Sequence, residues 1–334
     1  MRAVVLVGGF GTRLRPLTHA IPKPLLPVAH VPIVEHVVAN LGRSGVTEAV
    51  LALGFKPDRF RAAYPDGVCA GVRLVYAVEP EPLDTAGAIA FAARYAGIDD
   101  TFVVANGDVL TDLDVSSLVA FHHSRGAEGT IHLTPVDDPS SFGVVPTDER
   151  GRVTAFIEKP PRGTSPTNQI NGGTYVLERR VLDRIEPDRR VSIERVTFPA
   201  IAADGGLYAM ATDDYWLDLG RPEPYLAANL DVLDGRRAHL RTAGVADGAA
   251  IDDGATVRRS VVAASACVAR GATVVDSVLL AGVRVGEGAT VTASILGPGT
   301  AVGAGAQLVS VVTGEGAEVA AGSHLADCRI PEPD

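Results

Sequence analysis

Cysteine is scarce in this chain: Cys69, Cys267 and Cys328 are the only three among its 334 residues. They lie far apart and show no metal-ligand spacing, so the sequence offers neither a disulfide framework nor a cysteine zinc site. Long apolar runs are missing too, because the N-terminal run stops at Gly8 and no other stretch approaches the length of a membrane span. The short N-terminal run does not fit a signal peptide. We therefore expect a cytoplasmic protein with buried, unreactive thiols.

Net positive charge is lacking as well. The formal net charge is -10 and the isoelectric point is near 5.3, which argues against nucleic acid or an anionic membrane as the main partner. Any phosphate must therefore be bound by a local group of basic residues. The length is sufficient for one large domain and a smaller one, each with its own core.

Lysine is the third scarce residue. Of the 30 basic residues only three are lysines, namely Lys23, Lys56 and Lys159. A compact ammonium meets a phosphate oxygen differently from a planar guanidinium, so a site that requires the ammonium resists replacement by arginine. Lys23 and Lys159 lie in the motifs described below and are candidate phosphate contacts, whereas Lys56 has no assigned role.

The most informative stretch is LVGGFGTRLRPLT, with IPKPLL a few residues later. A β-branched run precedes its glycines, Gly8, Gly9 and Gly11, which allow a tight turn whose N–H groups face outward. Arg13 and Lys23 add positive charge, so the stretch suits a polyphosphate. Two commoner phosphate motifs do not fit. The stretch lacks the Gly-Lys-Ser/Thr ending of a P-loop, and Leu14 stands where a dinucleotide-binding fingerprint requires glycine.

Strand-like and helix-like patterns alternate up to about residue 235, which predicts a layered α/β domain. Ligands of open α/β sheets bind beyond the carboxyl ends of strands. The glycine turn and Asp108 both follow predicted strands, and Asp218 lies further on in YWLDLGRP. From its position alone, Asp108 is an ordinary turn or cap residue. The apolar spacing also predicts helices over residues 33–41, 88–95 and 224–243, and strands over 153–157 and 174–177.

Two polar groups flank the later strands. Glu158 and Lys159 follow the strand predicted over 153–157, and the triplet Asn171-Gly172-Gly173 precedes the next strand. Taken singly, a surface ion pair and a hairpin turn are the alternatives. Their occurrence together, in this order, favours a binding pocket.

The chain changes character after about residue 243. Branched aliphatic residues recur every sixth position, with small residues and glycine between them, and the period slips several times. The series includes Val245, Ile251, Val257, Val262, Val268, Val274 and Leu280. This hexapeptide repeat resembles the left-handed parallel β-helix, in which each unit forms one side of a triangular coil. The aliphatic residue then points inward, and coils depend on stacking.

Together these motifs resemble the sugar-1-phosphate nucleotidylyltransferases, and among them the mannose-1-phosphate guanylyltransferases. The resemblance implies a Rossmann-like nucleotide-diphospho-sugar transferase domain over residues 1–235 and a β-helix over residues 236–334. It also implies the reaction: a sugar 1-phosphate and a nucleoside triphosphate, with GTP favoured, give a nucleotide sugar and pyrophosphate. No covalent enzyme intermediate is required.

The same resemblance implies residue roles. Arg13 and Lys23 would be catalytic, and Asp108 and Asp218 would bind magnesium. Contacts to the nucleotide would come from Leu6, Gly8, Gly9, Gly11, Thr12, Asp84, Thr85, Ala86 and Gly87. Contacts to the sugar phosphate would come from Asn106, Gly143, Glu158, Lys159 and Asn171. The family more often has alanine at the position of Gly172.

One departure concerns the base. Where the family usually has Leu-Gly-Thr-Ala-Gly, this chain has Leu83-Asp84-Thr85-Ala86-Gly87. A carboxylate at Asp84 can accept two hydrogen bonds from the N1–H and the N2 amino group of guanine, which would favour GTP. The alternative is an Asx-type turn residue that faces solvent. Both hypotheses stay open at this point.

Other functions compete with the enzyme. A non-catalytic regulatory paralogue could bind a nucleotide sugar without the charged site residues. All four of those residues are present here, namely Arg13, Lys23, Asp108 and Asp218. An acyltransferase in the β-helix typically depends on a histidine base, and His324 is the only histidine in the repeats. Mannose 1-phosphate is the expected substrate by resemblance, while glucose, heptose or cyclitol phosphates would require similar contacts. The exposed faces of the coils favour a homo-oligomer.

Overall fold

The computed structural model describes residues 1–54, 57–237 and 242–332. Lys56 and Arg241 lie outside this part. The chain divides into two compact units: Met1–Gly9 with Val34–Trp216, and Phe10–Ile33 with Leu217–Asp334. This division rests on packing, whereas the boundary predicted after residue 235 rests on sequence pattern and stays a prediction.

The first unit contains a mixed sheet and five α-helices within its described residues. Its strands are β1 (Arg2–Leu6), β2 (Glu48–Leu53), β3 (Val68–Cys69), β4 (Val72–Val78), β5 (Phe102–Asn106), β6 (Val109–Thr111), β7 (Gly129–Pro135), β8 (Gly143–Val144), β9 (Ile157–Glu158), β10 (Gln169–Leu177) and β11 (Leu207–Ala211). Its helices are α1 (Ile33–Arg43), α2 (Pro57–Ala63), α3 (Asp84–Tyr95), α4 (Val115–Arg125) and α5 (Phe198–Ala203).

The sheet has the strand order β9-β8-β10-β5-β1-β2-β4-β3, and β7 pairs with both β10 and β11. Strands β5, β1, β2 and β4 are parallel to one another. All six residues of β2 are buried, as expected of a parallel strand that is covered on both faces. The apolar positions of α1 predicted over residues 33–41 are likewise buried, which confirms that helix.

Four predicted boundaries were wrong. Helix α3 begins at Asp84 and not at residue 88, so residues 84–87 form its first turn. Strand β9 is two residues long, whereas β10 begins at Gln169, so the Asn171 triplet lies inside a strand. The last helix, α6, covers Pro222–Leu233 and ends ten residues earlier than predicted, because Gly235 takes the left-handed conformation with φ 71°. The first three of these boundaries depend on packing that short local patterns do not report, whereas Gly235 is a local stop signal.

The second unit starts with short turns and ends in stacked coils. Residues Thr12–Leu14, Leu17–His19 and Lys23–Leu25 form single 3-10 turns, and Pro27–Val28 pairs with Val31–Pro32. Tyr225 of α6 donates a hydrogen bond from its hydroxyl to the Pro27 carbonyl, at 2.5 Å, and the Ala29 N–H donates to Asn229 Oδ1 at 2.8 Å. Helix α6 therefore holds this N-terminal segment.

The coils form three parallel sheets of five strands, which confirms the predicted β-helix. The first sheet contains Ala250–Ile251, Cys267–Val268, Arg284–Val285, Ala301–Val302 and Glu318–Val319. The second contains Thr256–Arg258, Thr273–Val275, Thr290–Thr292, Gln307–Val309 and His324–Ala326. The third contains Val261–Val262, Val278–Leu279, Ile295–Leu296, Val312–Thr313 and Arg329–Ile330.

The coil explains the slips in the sequence period. A ladder of serines shows the repeat directly: the N–H of Ser277 donates to the hydroxyl of Ser260, and that of Ser294 to the hydroxyl of Ser277, each 17 residues apart. Three full hexapeptides would give about 18 residues, so each of these coils is one residue short. As a result Leu279 belongs to the interior cluster of the coils, whereas Leu280, the predicted residue, is buried outside that cluster.

The first coil departs from the prediction of inward aliphatic residues. Val245 and Ile251 are 36% and 37% exposed, because a terminal coil has a stacked neighbour on one side. In the part of the chain that the structure describes, no helix has the length and apolar character that a membrane crossing requires.

Candidate active site

In the first unit, the strand order itself arranges the predicted site residues along one edge of the sheet. The carboxyl ends of β1 and β5 are neighbours, since Leu6 pairs with Asn106. Strand β10 runs antiparallel to β5, with Thr174 opposite Ala105, so the start of β10 lies at that same edge. Strand β8 links β10 to β9. Gly8 and Gly9, which follow β1, and the predicted sugar-phosphate residues of β8, β9 and β10 therefore lie on opposite sides of Asn106.

The glycine turn follows β1 and lies beside a carboxylate that the sequence did not single out. A methyl group built on Gly8 would stand 3.4 Å from Glu79 Oε1, and one on Gly9 would meet no described atom within 4 Å. Glu79 follows β4, and its Oε2 accepts a hydrogen bond from the Leu83 N–H at 3.0 Å. Burial raises the pKa of this half-buried carboxyl. Its position after a parallel strand of the sheet was the signal that could have identified it.

Asp84 is exposed, and its backbone conformation explains why the family usually has glycine at this position. Its φ is 60°, a left-handed conformation that glycine adopts freely and that aspartate tolerates better than most residues. Its Oδ1 accepts a hydrogen bond from the Thr85 N–H at 2.8 Å, and Arg190 Nε lies 3.9 Å from its Oδ2. The contact to Thr85 is the kind that a turn residue makes, and contact with guanine stays a prediction.

The next three predicted nucleotide residues hold the first turn of α3 against a neighbouring segment. The Thr85 hydroxyl donates to Glu194 Oε2 at 2.7 Å. The N–H groups of Ala86 and Gly87 donate to the Val191 carbonyl at 2.9 and 3.1 Å. These groups already have partners within the protein, so packing explains them, and their predicted contact with the nucleotide is untested.

On the other side of Asn106, the short strands carry the sugar-phosphate candidates. Gly143 pairs with Glu158 across β8 and β9. Lys159 Nζ lies 3.1 Å from Glu158 Oε1, with the lysine side chain 59% exposed and the glutamate 21% exposed. The structure brings these residues together and leaves the lysine accessible to a ligand.

Asn171 lies beside them at the start of β10. Its Oδ1 accepts a hydrogen bond from the Gly173 N–H at 3.0 Å, and its Nδ2 donates to the Tyr175 hydroxyl at 2.9 Å. The Gly172 carbonyl accepts a hydrogen bond from Trp216 Nε1 at 2.8 Å. The ring of Trp216 also packs edge-on against Phe142, at a centroid distance of 5.7 Å. This single tryptophan therefore bridges the segments that carry Gly143 and Asn171.

In the second unit, three of the predicted charged residues converge. Lys23 is 5% exposed, and its Nζ lies 3.7 Å from Asp218 Oδ1. A methyl group built on Gly220 would stand 2.8 Å from Arg13 Nη2 and 3.1 Å from Asp218 Oδ1. The exposed Arg13, the buried Lys23 and the half-buried Asp218 thus form one cluster. Two cations and one carboxylate in this arrangement can bind a polyanion.

The loop that carries Arg13 has further support in the same unit. Gly11 has φ 61°, and the Thr18 hydroxyl donates to its carbonyl at 2.8 Å. Thr12 is exposed beside it. From the last coil, Arg329 Nη1 donates to the carbonyls of Arg13 and Arg15, both at 3.0 Å. Sequence reasoning missed Arg329, because its partners lie more than 300 residues away.

Comparison with known proteins agrees with an α/β domain that is followed by a β-helix. A family model described as nucleotidyl transferase matches residues 2–235, and one described as GlmU-like C-terminal hexapeptide matches residues 228–310 and 254–327. Mannose-1-phosphate guanylyltransferase of Mycobacterium tuberculosis is 44% identical over 261 residues, which cover 76% of this chain and 72% of the relative. Probable mannose-1-phosphate guanylyltransferase 1 of Oryza sativa subsp. japonica is 42% identical over 255 residues, covering 75% and 70%.

Solved structures agree as well. HddC from Yersinia pseudotuberculosis complexed with GMP-PN is 30% identical to this chain and superposes with a TM-score of 0.59. The superposition covers 68% of this chain and 97% of that one.

Proposed function

Since the chain belongs to the nucleotidyl transferase family, we propose that it condenses GTP with mannose 1-phosphate to give GDP-mannose and pyrophosphate. The observation that carries this proposal is the cluster of Arg13, Lys23 and Asp218. Arg13 and Lys23 follow the glycine turn closely in the sequence. Two further facts support it. Relatives named mannose-1-phosphate guanylyltransferase are 42–44% identical to the chain, and a structural relative was solved with GMP-PN.

The proposed reaction is an in-line displacement at the α-phosphorus of GTP. An oxygen of the sugar phosphate forms the new P–O bond, the bond to the β-phosphate breaks, and pyrophosphate leaves with the electron pair. Positioning and charge neutralisation are what this chemistry requires. Arg13 and Lys23 stabilise the triphosphate and the charge that builds on the leaving group. Lys159 holds the phosphate of the sugar, while Glu158 accepts hydrogen bonds from its hydroxyls.

Magnesium is part of this proposal. Asp108 and Asp218 are half-buried carboxylates that follow or end strands, and such oxygen donors fit the preference of Mg²⁺. When bound, the ion would neutralise charge on phosphate oxygens and orient them. The two aspartates belong to different units, and their joint role as ligands follows from the family resemblance.

Selection of guanine is assigned first to Glu79. Its carboxylate lies beside the glycine turn and can accept hydrogen bonds from the N1–H and N2 amino group of guanine, an edge that adenine lacks. Asp84 is the second candidate, since its Oδ1 already accepts a hydrogen bond from the backbone. Substitution of Glu79 and substitution of Asp84 therefore have different expected effects on the preference for GTP.

A matrix of nucleoside triphosphates against sugar 1-phosphates, measured by pyrophosphate release, tests the proposal. We expect the highest kcat/KM for GTP with mannose 1-phosphate. A higher kcat/KM for glucose, heptose or cyclitol 1-phosphate would make that compound the substrate in place of mannose 1-phosphate. No turnover of any pair would favour the regulatory paralogue. The acyltransferase hypothesis gains no support, because its histidine, His324, lies in the last coil.

Self-association through the β-helix also stays a proposal. A cut near Arg241, where the sequence pattern changes, would fall outside the described residues. A cut after Gly235, which follows the end of α6, is therefore the better design. Light scattering of the shortened chain should show a smaller assembly than that of the full chain. An unchanged oligomer would contradict the role of the coils.

A further inference from the structure

His132 is a buried histidine outside the predicted site. It lies in β7 and is 0% exposed. Its Nε2 is 2.9 Å from Thr212 Oγ1, but its Nδ1 makes no hydrogen bond within the described part of the chain. Burial lowers the pKa of the ring to about 4, so it is uncharged near neutral pH. An unpaired buried nitrogen destabilises a fold, and an apolar side chain would avoid this. The histidine therefore needs another explanation.

The unpaired nitrogen faces Gly172. A methyl group built on Gly172 would stand 2.5 Å from His132 Nδ1 and 3.0 Å from the His132 carbonyl oxygen. Real side chains do not approach so closely, which means that the imidazole occupies the volume of a side chain at 172. This contact also gives the physical reason why alanine, usual in the family, is absent here.

The pair stands at an irregularity in the sheet. Between β7 and β10, Asn171 is opposite Leu133 and Tyr175 is opposite Ile131, so the register shifts between them. The extra residues of β10 bulge next to His132. Bulges of this kind direct side chains at functional sites.

The bulge controls two predicted contacts to the sugar phosphate. It lets Asn171 accept a hydrogen bond from Gly173 and donate one to Tyr175. It also gives Gly173 a φ of 77° and brings it against Asn106, where a methyl group would stand 2.7 Å from Asn106 Nδ2. The placement of Asn171 relative to Asn106 therefore depends on the bulge.

We propose that His132 is a positioning residue that sets specificity for the sugar phosphate, because it and Gly172 form a size-matched pair that fixes the Asn171–Gly173 bulge against Asn106. The inference rests on the proposed function. A side chain at 172, or the loss of side-chain volume at 132, would shift the bulge and change the sugar pocket while leaving the nucleotide side in place.

A reciprocal size exchange tests the pair. His132→Ala and Gly172→Ala should each raise the KM for mannose 1-phosphate by roughly tenfold, the usual scale of a mismatched contact. The KM for GTP should stay within about twofold. In the double variant the new methyl group takes up space that the ring vacates, so the KM for mannose 1-phosphate should return to within about threefold of the wild-type value. His132→Gln, which can keep the hydrogen bond to Thr212, should stay near the wild type.

His122→Ala is the matched control. His122 is also buried in the first unit, but both of its ring nitrogens have partners, Thr130 Oγ1 at 2.8 Å and Glu178 Oε1 at 3.1 Å. Its loss should lower the melting temperature and leave both KM values unchanged. If His132→Ala does not fold, His132→Ser takes its place in the exchange.

If the two substitutions had additive effects on the KM for mannose 1-phosphate in the double variant, the proposal would be overturned. Changes in the KM for GTP as large as those for mannose 1-phosphate would also overturn it. Either result would make His132 a core residue without a role in specificity. The melting temperatures of the wild type, His132→Ala, Gly172→Ala and the double variant test the pairing without any substrate. Additive shifts in these melting temperatures would also refute it. If the wild type does not use mannose 1-phosphate, the proposed function fails, while the melting temperatures still decide on the pair.

Discussion

The loss of activity in Lys23→Arg is the prediction that links the unusual composition to the site. Lysine is rare in this chain, and the structure gives a reason to retain it at this position. The side chain is 6% exposed and its Nζ lies 3.7 Å from Asp218 Oδ1. A methyl group built on Gly11 would stand 3.0 Å from Lys23 Cβ, so the space around the base of the side chain is already filled.

Arginine keeps the charge but adds volume at a packed position. Overpacking of this kind costs about 1–3 kcal/mol, and the broader guanidinium cannot place its charge where the ammonium lies. We expect Lys23→Arg to lower kcat by about fivefold to 150-fold, since 1.4 kcal/mol corresponds to a factor of ten. Lys23→Met, which removes the charge, should lower it by about 100-fold to 1,000-fold, the usual loss for one preorganised electrostatic contact.

Steady-state pyrophosphate release with GTP and mannose 1-phosphate measures both variants. Lys56→Arg is the control, because that lysine lies in no predicted motif, and it should leave kcat unchanged. Circular dichroism and melting temperature show whether the variants fold. A fully active Lys23→Arg would refute the argument, and so would a loss of rate that only follows the fraction of unfolded protein.

Three further predictions concern metal, base and pH. Asp108→Asn and Asp218→Asn should each lower turnover by about 100-fold or more with folding intact, and near-normal rates across a magnesium titration would remove the metal from these residues. Glu79→Gln should reduce the preference for GTP over ATP by about tenfold to 100-fold, as expected from about 1.5–3 kcal/mol for hydrogen bonds to a charged group. By contrast, Asp84→Gly should keep that ratio, and a changed ratio would assign the base to Asp84. Burial lowers the pKa of His132 from 6.5 to about 4, so the unfolded chain binds a proton that the folded chain does not. The free energy of unfolding should therefore fall as the pH drops from about 6.5 to about 4. In urea denaturation, His132→Gln should show a smaller fall than the wild type, and equal slopes would contradict this.

The sequence predicted most where a local pattern has one structural meaning. The glycine turn after β1, the apolar face of α1 and the aliphatic repeat of the coils belong to this group. Each depends on residues a few positions apart, whose spacing matches the period of a strand, a helix or a coil. The family resemblance added the cluster of Arg13, Lys23 and Asp218, which the structure places together.

The remainder depends on contacts between distant parts of the chain. The start of α3 at Asp84 relies on Val191, whose carbonyl accepts hydrogen bonds from Ala86 and Gly87. Glu79 became a candidate only when its carboxylate was found beside Gly8. The same holds for the serine ladder of the coils, because a 17-residue repeat is weak in sequence when small residues fill most positions.

Gly172 illustrates the limit most clearly. In the sequence it was a small departure from the family pattern, and the hairpin turn was a reasonable alternative for the triplet around it. The structure places it within β10 and against His132, 40 residues earlier in the chain. Two residues that fit only each other cannot be identified from either one alone.

Guanylyl transfer to a sugar phosphate gives two products in a fixed ratio, so the stoichiometry of the products distinguishes it from hydrolysis of GTP. The full chain is incubated with GTP, mannose 1-phosphate and Mg²⁺, and all phosphorus-containing products are quantified by ³¹P nuclear magnetic resonance. We expect GDP-mannose and pyrophosphate in equal amounts, with no product when mannose 1-phosphate is left out. Release of GDP and inorganic phosphate, or complete recovery of both substrates, would contradict it.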